Sequence, residues 1–134
     1  YLTSSGIKVL KDSSVLVDNA FYLIGRDDRS NQKRKSLAQL TRGLEQDKPR
    51  ILMDHQPHAL FEARQYDVDL QLSGHTHQGQ FFPGNLLVNM MYELPYGYLK
   101  KGHTHYLVSS GLSLWGPPFR IGTQSELLRI DFSY

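Results

Sequence analysis

Histidine is the side chain of this sequence best suited to hold a metal ion or move a proton near neutral pH. Four of the six histidines lie in two copies of one tetrapeptide, because residues 74–77 and residues 102–105 both read Gly-His-Thr-His. Two imidazoles two residues apart can converge on one ion if the backbone turns sharply between them. Only the surroundings of each copy distinguish a ligand pair from ordinary surface residues.

The first copy follows residues 68–72, whose alternating apolar and polar side chains predict a half-buried strand. Ligand sites of open α/β sheets lie just beyond the carboxyl ends of strands, and Gly74 permits a sharp departure there because it has no Cβ. We therefore expect His75 and His77 to be metal ligands. The second copy precedes a strand, so we expect His103 and His105 to be exposed residues of a hairpin.

A third histidine repeats this arrangement. The apolar run at residues 51–53 predicts a buried strand, and Asp54-His55 follows it directly, with Pro57 ending the element. His55 is therefore expected at the same rim of the sheet as His75 and His77. Neutral imidazole is a common ligand of zinc, iron and manganese. The alternative for His55 is a hydrogen-bonded core histidine, and for His58 we expect helix capping or solvent exposure.

The elements that position these histidines alternate between strand and helix patterns. Their order predicts an α/β fold with a mixed sheet and two or three helices, in a single domain spanning residues 1–134. The expected strands are residues 7–10, 15–17, 20–24, 51–53, 68–72, 98–100, 106–109 and 126–132. The expected helices are residues 36–44, 59–65 and 86–92, with a strand as the alternative for residues 86–92.

Composition excludes several classes of function. The sequence has 134 residues and no cysteine, so it has no disulfide framework, thiolate zinc site or cysteine nucleophile. The net charge of +2 gives no reason to expect a nucleic-acid partner. Residues 26–50 are basic, with eight Lys and Arg against four Asp and Glu, but lack interleaved aromatic residues. This segment is either a charged surface helix with its flanks or a patch that attracts an anionic substrate.

Two sequence motifs resemble those of a known family. Residues 51–57 (ILMDHQP) and residues 72–83 (LSGHTHQGQFFP) resemble the calcineurin-like metallophosphoesterases, in particular a membrane- or envelope-associated bacterial branch whose signature reads GHTHGGQ. Gln78 here replaces the first glycine of GGQ. Residues 23–28 and 108–122 are also similar to that branch, so the resemblance extends from about residue 6 to residue 132.

The resemblance implies a hydrolase that uses two divalent metal ions, such as Mn, Fe or Zn. By position, His55 and His75 would bind one ion and His77 the other. The substrate would be a phosphorylated small molecule or lipid. Arg120 and Arg26 are candidates to contact its phosphate, the alternative for each being an ordinary surface residue. The family fold packs two mixed sheets face to face with helices outside, in α-β-β-α layers.

Three family motifs, D-x-H, GD and GNH-D/E, do not occur here. The chain therefore resembles the carboxyl-terminal half of such an enzyme and lacks the bridging carboxylate. We expect no catalytic residue in it and no activity from it alone. We also expect the chain itself to be soluble and the full-length protein to be associated with a membrane or cell envelope. A homodimer is expected through surface that the other half would cover. The alternatives are a non-enzymatic binding or dimerisation module and a mononuclear three-histidine zinc enzyme.

Overall fold

The computed structural model of the chain describes residues 3–132. Its strands are Ser13–Val17 (β1), Phe21–Gly25 (β2), Arg50–Met53 (β3), Leu70–Ser73 (β4), Gly97–Lys101 (β5) and Thr104–Val108 (β6). Its α-helices are Leu37–Thr41 (α1), Leu60–Gln65 (α2) and Gly84–Met91 (α3), and short 3₁₀ turns occupy Thr3–Ser5 and His77–Gly79. This is the mixed α/β fold that the sequence predicts.

All six strands form one sheet in the order β1-β2-β3-β4-β6-β5. The four central strands run parallel, and β1 and β5 are antiparallel edge strands. Because β3 and β4 are parallel neighbours, with Met53 opposite Leu72, the residues that follow them emerge at the same rim of the sheet.

One face of the sheet carries the core. Ile24, Leu52 and Tyr106 lie on this face in one register row and are at most 1% exposed. The helices α1 and α2 cover them with the buried side chains Leu37, Leu40, Leu60 and Ala63. The Tyr106 hydroxyl also donates a hydrogen bond of 2.7 Å to the Leu60 carbonyl, so the buried phenol is satisfied.

The opposite face of the sheet is apolar but only partly covered. Leu23, Ile51 and Leu70 form a row across β2, β3 and β4 there, and Leu107 of β6 lies on the same face. Ile51 is 6% exposed, whereas the three leucines are half-buried. Within residues 3–132, every buried side chain of an α-helix belongs to the core cluster on the other face. A second layer over this face is what a half of a two-sheet sandwich would require.

The helix α1 is shorter than residues 36–44. Ser36 caps it through a capping box, in which its side chain accepts from the Gln39 N–H at 3.3 Å and the Gln39 side chain accepts from the Ser36 N–H at 2.9 Å. The helix ends at Thr41 because Arg42 is extended and Gly43 has a φ of 78°, in the left-handed region.

Two predicted strands are wrong. Residues 7–10 form no strand: Ile7 and Val9 are 52% and 53% exposed, and the Leu10 backbone crosses Gly25 so closely that a Cβ there would lie 2.3 Å from the Leu10 carbonyl oxygen. Residues 126–132 form none either. The Glu126 N–H donates to the Gly111 carbonyl at 3.1 Å, and Gly111 lies outside the six strands, while Leu127 is 85% exposed.

Candidate metal centre

The parallel pair β3 and β4 brings two histidines side by side. The rings of His55 and His75 pack edge to face, with centroids 5.2 Å apart and planes at 82°. The backbone links continue beyond the strands, since the Gly74 N–H donates to the His55 carbonyl at 2.9 Å. The sheet therefore fixes the spacing of this pair before any ligand binds.

His77 reaches the same site through a strained turn. His75, His77, Gln78 and Gln80 have φ values of 69°, 49°, 53° and 53°, a conformation that costs residues with a Cβ about 1–3 kcal/mol each. The strain explains the glycine in the GHTHGGQ signature at the position of Gln78, since glycine adopts this conformation freely. Such clusters of strained residues occur where a site demands one side-chain arrangement.

Thr76 stabilises the turn between the two histidines. Its hydroxyl donates to the Pro95 carbonyl at 2.6 Å and accepts from the Gln78 N–H at 3.2 Å. Thr76 is only 7% exposed, so both bonds are shielded from water.

The three histidines line one cavity of about 480 Å³. The glycine-rich turn forms part of its wall, and α3 supplies an apolar wall with Leu87, Val88 and Met91. The indole of Trp115, the one tryptophan of the chain, lines it as well. The cavity thus combines imidazoles at one end with an apolar surface beside them.

The surroundings of His75 and His77 favour the neutral imidazole, which is the form that binds metal. Burial lowers the pKa of His75, and the neighbouring His55 adds to the effect while the Asp28 carboxylate opposes it. Burial likewise lowers the pKa of His77, with a further contribution from the Arg120 guanidinium.

The donors suit a divalent ion, but the set is incomplete. The His77 Nδ1 atom is buried, and neither the nearby Ser110 backbone nor any other described group meets it with hydrogen-bonding geometry. Buried polar atoms normally have a partner, so a bound ligand would explain this unpaired nitrogen. Nevertheless, among residues 3–132 no three His, Asp or Glu side chains are close enough together to hold a single ion. The mononuclear three-histidine alternative therefore has no preformed site in the described part of the chain.

Asp28 was not singled out from the sequence. It follows β2 at the same rim, and its side chain accepts from the Ser30 N–H at 2.8 Å and the Gln56 amide at 3.4 Å. The Ser30 bonds are the main cause of its lowered pKa, and His55 and His75 also contribute. The signal that would have found it is positional, since β2 runs parallel to β3 and ends beside it.

Arg26 is held in an ion-pair network behind His55 and is not an exposed surface residue. Its side chain is 9% exposed, and its Nη1 atom lies 2.8 Å from Glu62 Oε2 and 3.4 Å from Asp54 Oδ2. Arg34 Nη1 lies 3.4 Å from the other oxygen of Asp54. Burial raises the pKa of Asp54, and the two guanidinium groups oppose that rise.

Arg120 lies next to the histidine turn, and backbone carbonyls engage its guanidinium. Its N–H groups donate at 2.8 to 3.2 Å to the carbonyls of His77, Ser110, Gly111 and Ser113. A phosphate contact at either arginine would have to compete with these bonds.

The remaining histidines lie elsewhere. His103 is in the turn between β5 and β6, half exposed, with Nε2 3.8 Å from Asp67 Oδ1. His105 is in β6, with Nδ1 2.8 Å from the Tyr98 hydroxyl. His58 packs against Tyr92 with ring centroids 4.7 Å apart. None of the three lines the cavity of His55, His75 and His77.

The structure thus has a candidate ligand site at the carboxyl rim of the parallel strands of its sheet. Curated proteins with related sequences carry the name metallophosphoesterase. A protein of Aquifex aeolicus named an uncharacterized metallophosphoesterase is 36% identical over 129 residues, which is 90% of this chain and 49% of that protein. A Helicobacter pylori protein of the same name is 44% identical over 82 residues, or 60% of this chain and 22% of that protein. The chain is a homologue of the metallophosphoesterases, as its motifs predict.

A Danio rerio protein named transmembrane protein with metallophosphoesterase domain is 44% identical over 85 residues, or 61% of this chain and 20% of that protein. The chain spans about half or less of the length of each of these relatives. No family model matches the chain, and no solved structure matches it. Within residues 3–132, the helices are too short to cross a bilayer.

Proposed function

We propose that this chain contributes His55, His75 and His77 to the metal centre of a phosphoester hydrolase whose other ligands lie in a longer protein. The observation that carries the proposal is the meeting of the His55 and His75 rings, 5.2 Å apart, at the ends of two parallel strands, with His77 lining the same cavity. Ligand placement on rigid strand ends is suited to a site that must not move during reaction.

His55 and His75 would share one ion, and His77 would bind a second. When bound, two divalent ions supply an activated water and neutralise the phosphoryl oxygens during in-line displacement. The imidazoles would bind the ions as neutral side chains. The network of Arg26, Asp54 and Arg34 orients the backbone that carries His55.

The chain alone is expected to be inactive. Neutral imidazoles do not offset the repulsion between two dications a few ångströms apart, and the bridging carboxylate that the family uses has no counterpart motif here. Asp28 adds negative charge near His55 and His75, but it is exposed and engaged by Ser30.

The cavity wall favours a particular kind of phosphoester. Leu87, Val88 and Met91 of α3 line the cavity that the histidines share, although α3 has no buried residue of its own. A phosphorylated small molecule or lipid with an apolar group beside its phosphate would cover these side chains and gain about 25 cal/mol per Å² buried. Membrane association of the longer protein belongs to the same proposal, since relatives from Danio rerio and Bos taurus are named transmembrane proteins.

The test is an assay of an aryl phosphodiester with added Mn²⁺, comparing the purified chain with a longer version that carries D-x-H, GD and GNH-D/E motifs upstream. We expect turnover only from the longer protein and none from the purified chain. The His75→Ala variant of the longer protein should lose that turnover. Comparable turnover from both proteins would disprove the half-site, and absence of turnover from both would count against hydrolysis.

A non-enzymatic association module remains the second candidate, and the partly covered sheet face favours it. Leu23, Leu70 and Leu107 on that face are half-buried in the isolated chain. A second copy covering 500 Å² of such surface would gain about 12 kcal/mol before the entropic cost of association. Light scattering over a dilution series tests the proposed homodimer, and a monomer at high concentration would rule it out.

A further inference from the structure

We propose that Gln80 and Arg120 are positioning residues that hold residues 110–123, here called the strap, against the histidine turn and so fix the ring of His77. This proposal concerns a contact within the chain, and it rests on the proposed function only in what it predicts for metal affinity. Its evidence comes from the two ends and the middle of the strap.

Gln80 binds the middle of the strap through its side chain. It is 2% exposed, and its amide group donates to the carbonyls of Trp115 at 2.6 Å and Pro117 at 2.9 Å. Its Oε1 atom accepts from the Trp115 N–H at 2.6 Å. Both amide hydrogens and the carbonyl oxygen of this side chain therefore form hydrogen bonds to one short stretch of backbone. Few hydrogen-bonding positions of this buried glutamine are left without a partner.

The backbone of the same residue binds the end of the strap. The Gln80 carbonyl accepts from the Ile121 N–H at 3.1 Å and from the Thr123 hydroxyl at 2.8 Å. The Phe82 N–H in turn donates to the Ile121 carbonyl at 3.1 Å. Gln80 therefore joins residues 115–123 to the turn that begins at His75.

Arg120 joins the start of the strap to His77. One terminal nitrogen donates to the His77 carbonyl at 3.2 Å, and the other donates to the carbonyls of Ser110 and Gly111 at 2.8 and 3.2 Å. Hydrogen bonds from a charged donor are stronger than neutral ones, and the planar guanidinium can reach several carbonyls that a lysine could not.

The strap also passes close to the ring of His77. A Cβ added to Gly111 would lie 3.7 Å from both Cε1 and Nδ1 of His77, so the backbone of Gly111 lies about one methyl group away from the imidazole. Gly111 has a φ of 79°, which a residue with a side chain rarely adopts. The ring therefore lies beside a stretch of backbone whose carbonyls accept hydrogen bonds from Arg120.

The conformation of His77 requires such support. Its φ of 49° is unfavourable for a residue with a Cβ, and strained residues persist only where surrounding contacts determine their conformation. The strap also places Trp115 in the wall of the histidine cavity. Since this is the one tryptophan of the chain, its fluorescence reports on the strap directly.

The experiment compares the metal-free chain with its Gln80→Met variant, which keeps the length of the side chain and removes every side-chain hydrogen bond. Gln46→Met is the matched control, because Gln46 is exposed and distant in sequence from the strap. The measurements are amide hydrogen exchange in residues 110–123, Trp115 fluorescence anisotropy and the NMR signals of the histidine rings.

In Gln80→Met we expect faster exchange throughout the strap, lower anisotropy, and displaced ring signals of His77 with those of His105 unchanged. With Mn²⁺ as the probe, affinity should fall about 10- to 100-fold, the usual cost of losing an outer partner of a metal ligand. Gln46→Met should match the unmodified chain in all four measurements.

Faster exchange in the strap with unchanged His77 signals would overturn the proposal, because it would show a structural contact without influence on the ring. If the unmodified chain binds no Mn²⁺, the metal proposal fails while the ring signals still decide this one. If Gln80→Met does not fold, Gly111→Ala serves instead, since a residue with a Cβ is strained at the φ of 79° and shifts the strap backbone beside His77 while leaving Gln80 intact. Unchanged His77 signals in Gly111→Ala would also contradict the proposal.

Discussion

The two Gly-His-Thr-His copies have one sequence and two structures. In the first, His75 and His77 have φ values of 69° and 49° and line a cavity with His55. In the second, Gly102 has the positive φ of 61° and forms the turn of a hairpin, so that Thr104 and His105 continue as strand β6. The tetrapeptide does not determine its own conformation.

What determines it is the direction of the neighbouring strand. The first copy leaves the end of β4, a parallel strand with β3 on one side and β6 on the other, and must turn at the rim. The second copy enters β6 from the edge strand β5, and its residues pair across the hairpin, with Lys101 opposite Thr104. A histidine pair becomes a candidate ligand pair where a central strand ends.

The largest expected difference between the two regions is in stability. Asp54, beside His55, has a side chain 4% exposed between Arg26 and Arg34, and breaking such a buried ion pair costs about 3–5 kcal/mol. We expect Asp54→Ala to lower the free energy of unfolding by about that amount in urea denaturation. Asp67→Ala, near His103, is the control, because that carboxylate is 75% exposed and 3.8 Å away. Equal effects of the two substitutions would remove this distinction between the regions.

The next difference is in metal affinity. We expect His75→Ala to weaken Zn²⁺ binding to the isolated chain by at least about 100-fold, beyond the usual loss for an outer partner. His105→Ala should leave the affinity unchanged, since the nearest partner of that ring is the Tyr98 hydroxyl. Isothermal titration calorimetry with each variant measures both. A loss of affinity in His105→Ala would show that the metal binds at residues 102–105, which contradicts the proposed site.

Substituting the threonine of each copy, Thr76 or Thr104, should change the stability by a smaller amount. The two changes should differ in sign or in size. Thr76 makes two shielded hydrogen bonds, so Thr76→Val should destabilise the chain by about 1–2 kcal/mol. The Thr104 hydroxyl is fully buried, and no described group meets it with hydrogen-bonding geometry, although the Tyr106 side chain is close enough for its pKa to respond to Thr104. Thr104→Val should therefore be neutral or stabilising. Thermal unfolding of both variants decides, and destabilisation by Thr104→Val would show a bond that the structure lacks.

The smallest effect is a pH dependence that comes from the first copy. Burial lowers the pKa of His75 and His77 in the folded, metal-free chain below the ordinary value of 6.5. As the pH falls below about 6.5, the unfolded chain binds protons before the folded chain does, so the free energy of unfolding decreases. The double variant His75→Gln/His77→Gln should have a shallower decrease in urea titrations at successive pH values. An unchanged slope would contradict the lowered pKa values of these two histidines.

The two strands that lead into the candidate site were predicted well from the sequence. The patterns of β3 and β4 are apolar or alternating, and His55 and Gly74 follow within two residues of the strand ends. It did not predict the ends of the chain. Residues 7–10 and 126–132 have strand-like patterns but pair with no strand within residues 3–132 of the structure. Strand pairing depends on tertiary structure, which the local sequence pattern does not reveal.

The candidate site was predicted as three imidazoles and two arginines, without the contacts that surround them. The surroundings of Arg26 and Arg120 depend on residues far away in the sequence, such as Glu62 for Arg26 and His77 for Arg120. Gln80 belongs to the quoted motif, but its role was not predicted for the same reason, since its partners Trp115 and Pro117 lie more than thirty residues later. The burial of these side chains and their contacts with backbone groups depend on how the chain packs. The spacing of residues in a motif does not predict them.

The central claim is that His55, His75 and His77 bind divalent metal while the second copy does not. Paramagnetic broadening of the histidine ring signals by substoichiometric Mn²⁺ in NMR tests it most directly, because broadening decreases steeply with distance from the ion. The account predicts selective loss of the His55, His75 and His77 signals, with those of His103 and His105 retained. Loss of the His103 and His105 signals first, or uniform broadening of all six histidines, would contradict it.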